Sequence, residues 1–341
     1  MAENSVVVVG AGSWGTTIAS LVAARTPAVL WARSASLAEA IGRDRMNATY
    51  LPGIRLPEGL RVTASLAEAA EAAEVVLMAV PSHGFRAVLE ELAPDLAAGT
   101  PVVSLAKGIE AGTNLRMSEV VAEVLPGHPA GALSGPNLAR EVAEGYPAAS
   151  LVVLPDELLA RRVQGHLHSS TFRVYTGTDV VGCEIAGATK NVMAIASGIA
   201  DGLGFGENTR AVLVTRGLAE LGRLGIALGG HTLTFGGLAG VGDLVATCTS
   251  PRSRNRTVGF ELGRGRALDE VLSGMHMVAE GVRTAGPLVG LARQQGVEMP
   301  IAEQVAAIVA GETSPRAALA ALMDRPARSE WDAVLLRGLT R

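Results

Sequence analysis

The chain has 341 residues, 48% hydrophobic but only 3% aromatic, with a net charge of −4 and two cysteines. That length suits two domains whose cores rely on Ala, Val and Leu. The composition excludes a basic field for nucleic acid and a disulfide framework, and no apolar run approaches the ~20 residues of a bilayer span. An acidic Glu3 before a short valine run does not make a signal peptide, so the expected setting is the cytoplasm.

The first predicted element is a strand over residues 6–9, where four consecutive valines suit burial on both faces. Gly10, Gly12 and Gly15 follow as G-x-G-x-x-G, and apolar spacing predicts a helix over residues 16–24. In that context Gly10 permits a tight turn, Gly12 lets backbone approach a pyrophosphate, and Gly15 lets helix and strand pack closely. The helix N-terminus adds free N–H groups and partial positive charge, so the stretch reads as a dinucleotide site. Ala28–Trp31 reads as the second strand. Past it, where an acidic residue would hold the 2′-hydroxyl of NAD, stands Arg33, which can pair with the 2′-phosphate of NADP.

Further buried strands are predicted over 75–80, 102–105 and 132–133, with 150–154 and 172–175 extending the sheet. Helical segments at 66–73, 85–92 and 115–125 alternate with them. The fold class is therefore α/β, an N-terminal Rossmann-type doubly wound parallel sheet followed by an all-α C-terminal domain. Ligands in such sheets sit beyond the carboxyl ends of the strands. At those ends stand Pro81-Ser82-His83, Ala106-Lys107-Gly108 and Ser134-Gly135-Pro136-Asn137. His83 reads as a packing or surface residue; Lys107 either points into the crevice or is solvated.

After Gly177 the valine runs give way to long Ala- and Leu-rich helices, predicted over 179–199, 208–224, 282–294 and 301–310. The domains are accordingly 1–180 for the dinucleotide and 181–341 for the substrate. Lys190 interrupts an apolar helix; it either snorkels to solvent or is buried, where a lowered pKa suits acid–base work near neutrality. Asp243, beside Gly240 and Gly242, is a cap or a counter-charge for Lys190. Arg252, Arg254 and Arg256, with Ser253 and Asn255, form a short loop that can clamp a phosphate or simply be solvated. No Cys/His cluster with metal-ligand spacing appears, so no metal is expected.

These motifs form an ordered series. It comprises Gly-Ala-Gly-Ser-Trp-Gly at 10–15, Ala-Lys-Gly at 106–108, Ser-Gly-Pro-Asn at 134–137 and Ala-Thr-Lys-Asn-Val at 188–192. Gly-Ile-Ala-Asp-Gly-Leu-Gly-Phe-Gly-Glu-Asn at 198–208, Gly-Leu-Ala-Gly-Val-Gly-Asp-Leu at 237–244, Ser-Arg-Asn at 253–255 and Val-Ala-Glu-Gly at 278–281 complete it. The series resembles the bacterial-type NAD(P)-dependent glycerol-3-phosphate dehydrogenases across nearly the whole chain. The resemblance implies reversible reduction of dihydroxyacetone phosphate to sn-glycerol 3-phosphate by NADPH or NADH. NADPH is the favoured cofactor, although Ser34 stands where many NADPH-preferring relatives carry a second basic residue. Lys190 is implied as proton donor and acceptor. Lys107, Gly135, Asn137, Lys190, Asp243, Ser253, Arg254 and Asn255 are implied at the substrate, with Thr247 in support. Gly10, Gly12, Ser13, Trp14, Gly15, Arg33, Lys107, Ala139, Arg254, Val278 and Glu280 match cofactor positions. A homodimer that feeds phospholipid synthesis is implied as well, with neither nucleic acid nor membrane as partner. The related ketopantoate and β-hydroxyacid dehydrogenases share this layout, but the arginine-rich stretch at 252–256 favours a phosphorylated substrate.

Overall fold

A computed structural model describes residues 5–71, 73–275, 278–327 and 329–330. Glu3 and residues 331–341 of the second predicted domain lie outside them. The chain divides into two compact units, Met1–Ala106 with Met117–Val180, and Lys107–Arg116 with Val181–Arg341. No helix among the described residues is long and apolar enough to cross a membrane.

The first unit is one eight-stranded sheet. Its strands are β1 (Ser5–Val9), β2 (Ala28–Trp31), β3 (Leu60–Thr63), β4 (Ala73–Met78), β5 (Val102–Ser104), β6 (Ala130–Ser134), β7 (Ala148–Val153) and β8 (Phe172–Gly177). They lie in the order β3-β2-β1-β4-β5-β6-β7-β8. Its helices are α1 (Ser13–Ala23), α2 (Ala35–Asp44), α3 (Leu66–Ala70), α4 (Ser82–Leu92), α5 (Met117–Val124), α6 (Ala139–Ala143) and α7 (Glu157–Leu167). β1 is buried along its length and pairs in parallel with β2 and β4, Val7 opposite Val29 and Val76. The sheet is parallel except at one place. β6 and β7 run antiparallel, Leu133 opposite Val152, within the parallel-dominated sheet that was expected. Their link holds only the five-residue α6, too little for a crossover helix, so the chain turns straight back.

Among the described residues the second unit is helical: α8 (Val180–Gly202), α9 (Glu207–Ala227), α10 (Thr232–Phe235), a π-helical turn at Leu238–Gly242, α11 (Asp243–Thr249), α12 (Arg254–Gly263), α13 (Leu268–Ser273), α14 (Glu280–Gln294), α15 (Pro300–Val309) and α16 (Pro315–Met323). To these it adds the excursion Lys107–Arg116 from between β5 and α5, closed at its base by an antiparallel bridge between Ile109 and Arg116. Ile109 is buried in the same cluster as Ala188, Val192 and Ile195 of α8. The predicted loop at 252–256 is a helix start instead. Ser253 caps α12, its Oγ accepting from the Arg256 N–H at 3.3 Å, a role suited to Ser. α8 and α12 cross in backbone contact. A Cβ on Gly198 or Gly202 would overlap the carbonyls of Arg256 or Phe260, and one on Gly259 or Gly263 those of Ile195 or Ile199.

Candidate active site

In the first unit the turn after β1 has the geometry of a phosphate cradle. Gly10 has φ +116°, and a Cβ there would lie 2.8 Å from the Ala79 carbonyl oxygen. A Cβ on Gly15 would overlap the Gly10 carbonyl, so this glycine is fixed by helix–strand approach. Gly12 differs: a Cβ there meets no protein atom within 4 Å. It is also the N-cap of α1, without a side-chain cap, so first-turn N–H groups stay available to a ligand. This open, donor-rich backbone fits a dinucleotide pyrophosphate.

Sequence reasoning missed Asn47, which holds the cradle. Wholly buried, it donates through Nδ2 to the Ala11 carbonyl (2.9 Å) and to Thr16 Oγ1 (2.8 Å), while its Oδ1 accepts from the Tyr50 N–H (3.1 Å). Ser13 and Ala139 both offer their carbonyls to the Thr17 hydroxyl, at 2.9 and 3.1 Å, which ties α1 to α6. Trp14 packs edge-on against Phe172, 6.2 Å between ring centroids, with a buried Nε1 that has no partner among the described residues. Arg33 is exposed at the end of β2. Ser34 beside it caps α2 and sits 2.7 Å from the Ser36 hydroxyl. At the end of β6, Gly135 has φ +147°. Ser150 Oγ donates to the Ser134 carbonyl (3.0 Å) and so can only accept from Asn137 Nδ2 (3.0 Å). The buried Asn137 Oδ1 is left without a partner among the described residues.

The second unit brings together residues scattered along the sequence, with Asp243 at their centre. It is the first residue of α11 and 1% exposed. Its Oδ2 lies 2.6 Å from Lys107 Nζ and its Oδ1 3.2 Å from Lys190 Nζ. Thr247, one turn along α11, accepts from Lys190 Nζ at 2.8 Å and donates to Asp243 Oδ1 at 3.3 Å. Lys190 is therefore buried, 6% exposed, and does not snorkel. Lys107 is 9% exposed and faces the same carboxylate. Burial brings the Lys190 ammonium down to about 8, helped by the Lys107 charge and opposed by Asp243. Burial pushes the Asp243 carboxyl up, but the two ammonium groups outweigh it and hold it below the usual carboxylate range.

A ring of hydrogen bonds fixes the Lys107 backbone. Its N–H donates to Glu280 Oε2 (3.0 Å), at the start of α14, and its carbonyl accepts from Asn191 Nδ2 (2.8 Å) on α8. Asn191 Oδ1 accepts from Asn255 Nδ2 (2.8 Å), and Asn255 Oδ1 from the Gly281 N–H (2.9 Å). The Asn255 carboxamide thus spends its oxygen and one of its two N–H donors within the chain. The three arginines do not act as one clamp. Arg256 Nη2 is 2.6 Å from Asp201 on α8, whereas Arg254, exposed, donates from Nη1 to the Val278 carbonyl at 2.7 Å. Asn191 carried no signal in the sequence beyond its place next to Lys190.

The chain is also similar to known proteins along most of its length. Residues 5–160 match the NAD-dependent glycerol-3-phosphate dehydrogenase N-terminus family, and residues 179–320 match the corresponding C-terminus family. A glycerol-3-phosphate dehydrogenase (NAD(P)+) of Sphingopyxis alaskensis is 54% identical over 303 residues, covering 89% of this chain and 91% of the relative. One of Mycobacterium avium is 54% identical over 310 residues, 91% of each. The crystal structure of a glycerol-3-phosphate dehydrogenase from Coxiella burnetii superposes at a TM-score of 0.91 with 37% identity, over 95% of this chain and 99% of that one.

Proposed function

The chain belongs to the NAD-dependent glycerol-3-phosphate dehydrogenase family, and from that premise we propose that Lys190 is the proton donor and acceptor in reversible, NAD(P)-linked reduction of dihydroxyacetone phosphate to sn-glycerol 3-phosphate. The observation that carries this reading is the single buried carboxylate holding two ammonium groups, Lys107 and Lys190, on its two oxygens. When bound, the nicotinamide supplies the hydride for the substrate's central carbon.

Lys190 does the proton work. Two of its three N–H bonds go to Thr247 and Asp243, and the third is left for the carbonyl oxygen. Protonated below pH about 8, it gives its proton to the nascent alkoxide and recovers it in the reverse direction. Lys107 adds a second positive charge beside the developing oxyanion, in a place largely closed to water. Arg254 and the first-turn N–H groups of α12 suit the phosphate, far from the reacting carbon, so their binding energy goes into orientation. Gly135 and Asn137 match substrate positions, and the spare Asn137 Oδ1 suits a substrate hydroxyl. Ser13, Trp14, Arg33 and Ala139 match cofactor positions, as do Lys107, Arg254, Val278 and Glu280. Exposed Arg33 supports NADPH over NADH. The family resemblance supports a cytoplasmic homodimer whose product feeds glycerophospholipid synthesis.

The test is Lys190→Ala, followed at the NADPH absorbance with dihydroxyacetone phosphate. Turnover should fall about 10³-fold or more while NADPH affinity stays within about twofold. Near-normal turnover would remove Lys190 from the chemistry.

A further inference from the structure

Lys107 reaches Asp243 from the end of a four-carbon stem, and such a stem delivers its charge to one place only if its backbone is fixed. That backbone lies in the 107–116 excursion, which has little regular structure. Its base is the Ile109–Arg116 bridge, with the Glu110 N–H donating to the Leu115 carbonyl (2.9 Å) and the Asn114 N–H to that of Glu110 (3.1 Å). At its C-terminal end Arg116 Nη1 lies 2.9 Å from Glu184 Oε2, with side chains 13% and 4% exposed. No motif in the sequence singles either residue out.

Glu184 and Asn191 lie two turns apart on one face of α8, ~10 Å along the axis. Asn191 holds the Lys107 carbonyl, and Glu184 holds Arg116. The excursion is thus gripped at both ends by the helix that carries Lys190. A buried ion pair adds little net stability over an apolar pair of the same size, and its best-attested use is to specify register.

We propose that Arg116 and Glu184 are positioning residues: their buried ion pair, acting with the Asn191–Lys107 hydrogen bond, sets the register of the excursion on α8 so that the Lys107 ammonium meets Asp243. The inference rests on the proposed roles of Lys107 and Lys190. It has a signature that a merely stabilising contact lacks. The titratable groups around Lys190 are Asp243, Lys107 and the buried thiol Cys248, which burial keeps neutral; of these Lys107 opposes its proton. Should Lys107 slip away from Asp243, Lys190 keeps its proton to higher pH.

The experiment compares Glu184→Gln, and a double variant Arg116→Met with Glu184→Met that leaves no unpaired buried charge, with the unmodified protein. In both variants turnover of dihydroxyacetone phosphate should fall about tenfold or more at pH 7. The alkaline limb of the pH–rate profile should move up by about half a pH unit or more, with the KM for NADPH unchanged. A limb that stays in place, in either variant, overturns the proposal even if activity falls. Lys190→Ala run alongside separates the two readings: if it retains turnover, the assignment of the lysines has failed rather than the positioning role.

Discussion

At the scale of single residues, one buried carboxylate gathers two lysines. Asp243 with its two lysines carries a net charge of +1, and the buried Lys190 is poised to gain or lose a proton near pH 8. The two directions of reaction should therefore respond oppositely to pH. On the proposed role of Lys190, reduction needs the protonated amine and should decline as pH rises through about 8, whereas oxidation of glycerol 3-phosphate needs the free amine and should climb through the same point. Profiles of kcat/KM in both directions check this, and bends far apart or absent would contradict it. Much of the cluster was legible beforehand, because Lys107, Lys190 and Asp243 are charges set among apolar or glycine-rich neighbours. Their convergence was not, since Lys107 and Asp243 lie 136 positions apart and no periodicity relates them. Asn47 carried no signal, and Asn191 stood only as a neighbour of Lys190 in the 188–192 motif, for another reason. A lone Asn suits a turn or a surface as well as a buried network, and only the partners tell which.

At the scale of elements, Glu220 of α9 shows how a helix end can depend on a distant side chain. α15 starts at Pro300 without a side-chain cap of its own; the N–H groups of Ile301 and Ala302 donate instead to Glu220, at 2.8 and 3.2 Å. Burial raises this carboxyl from 4.5 to about 7, against the pull of those two N–H groups. Between those values the folded protein holds a proton that the unfolded chain has released, so Glu220 makes stability fall as pH rises from about 4.5 to 7, with no further effect above. Glu220→Gln should flatten that slope in thermal melts taken at pH 5 and pH 7.5; an unchanged slope would show that Glu220 does not titrate there. The strands with unbroken valine runs and the long helices were readable from spacing. α2, β3 and α7 were not, since polar residues fill much of α2 and α7, and β3 pairs its two apolar residues, Leu60 and Val62, with Arg61 and Thr63. α12 was taken for a loop because it opens on Arg-Asn-Arg-Thr, with its apolar contacts beginning only at Val258. Gly198 lies inside the predicted helix despite an intrinsic cost of ~1 kcal/mol, and α8 continues to Gly202; close approach to α12 requires glycine at both positions.

At the scale of the whole molecule, the described residues form two hydrophobic clusters with no member in common, one within each unit. Heating without ligand should not be a single all-or-none event: the calorimetric enthalpy should exceed the van't Hoff value. Equality of the two would show that the cores melt as one. The chain order of the units was readable, because strand texture ends and helical texture begins near residue 180. The excursion Lys107–Arg116 was not, since nothing in a ten-residue stretch says which core will take its Ile109. The interlocked glycines of α8 and α12 carry one last implication. With carbonyls where side chains would otherwise cushion the crossing, neither rod can tilt or slide without steric collision. Lys190 and the tip of α12 therefore behave as a single stiff jaw. Any rearrangement must come from side chains and loops around that jaw rather than from the crossing itself.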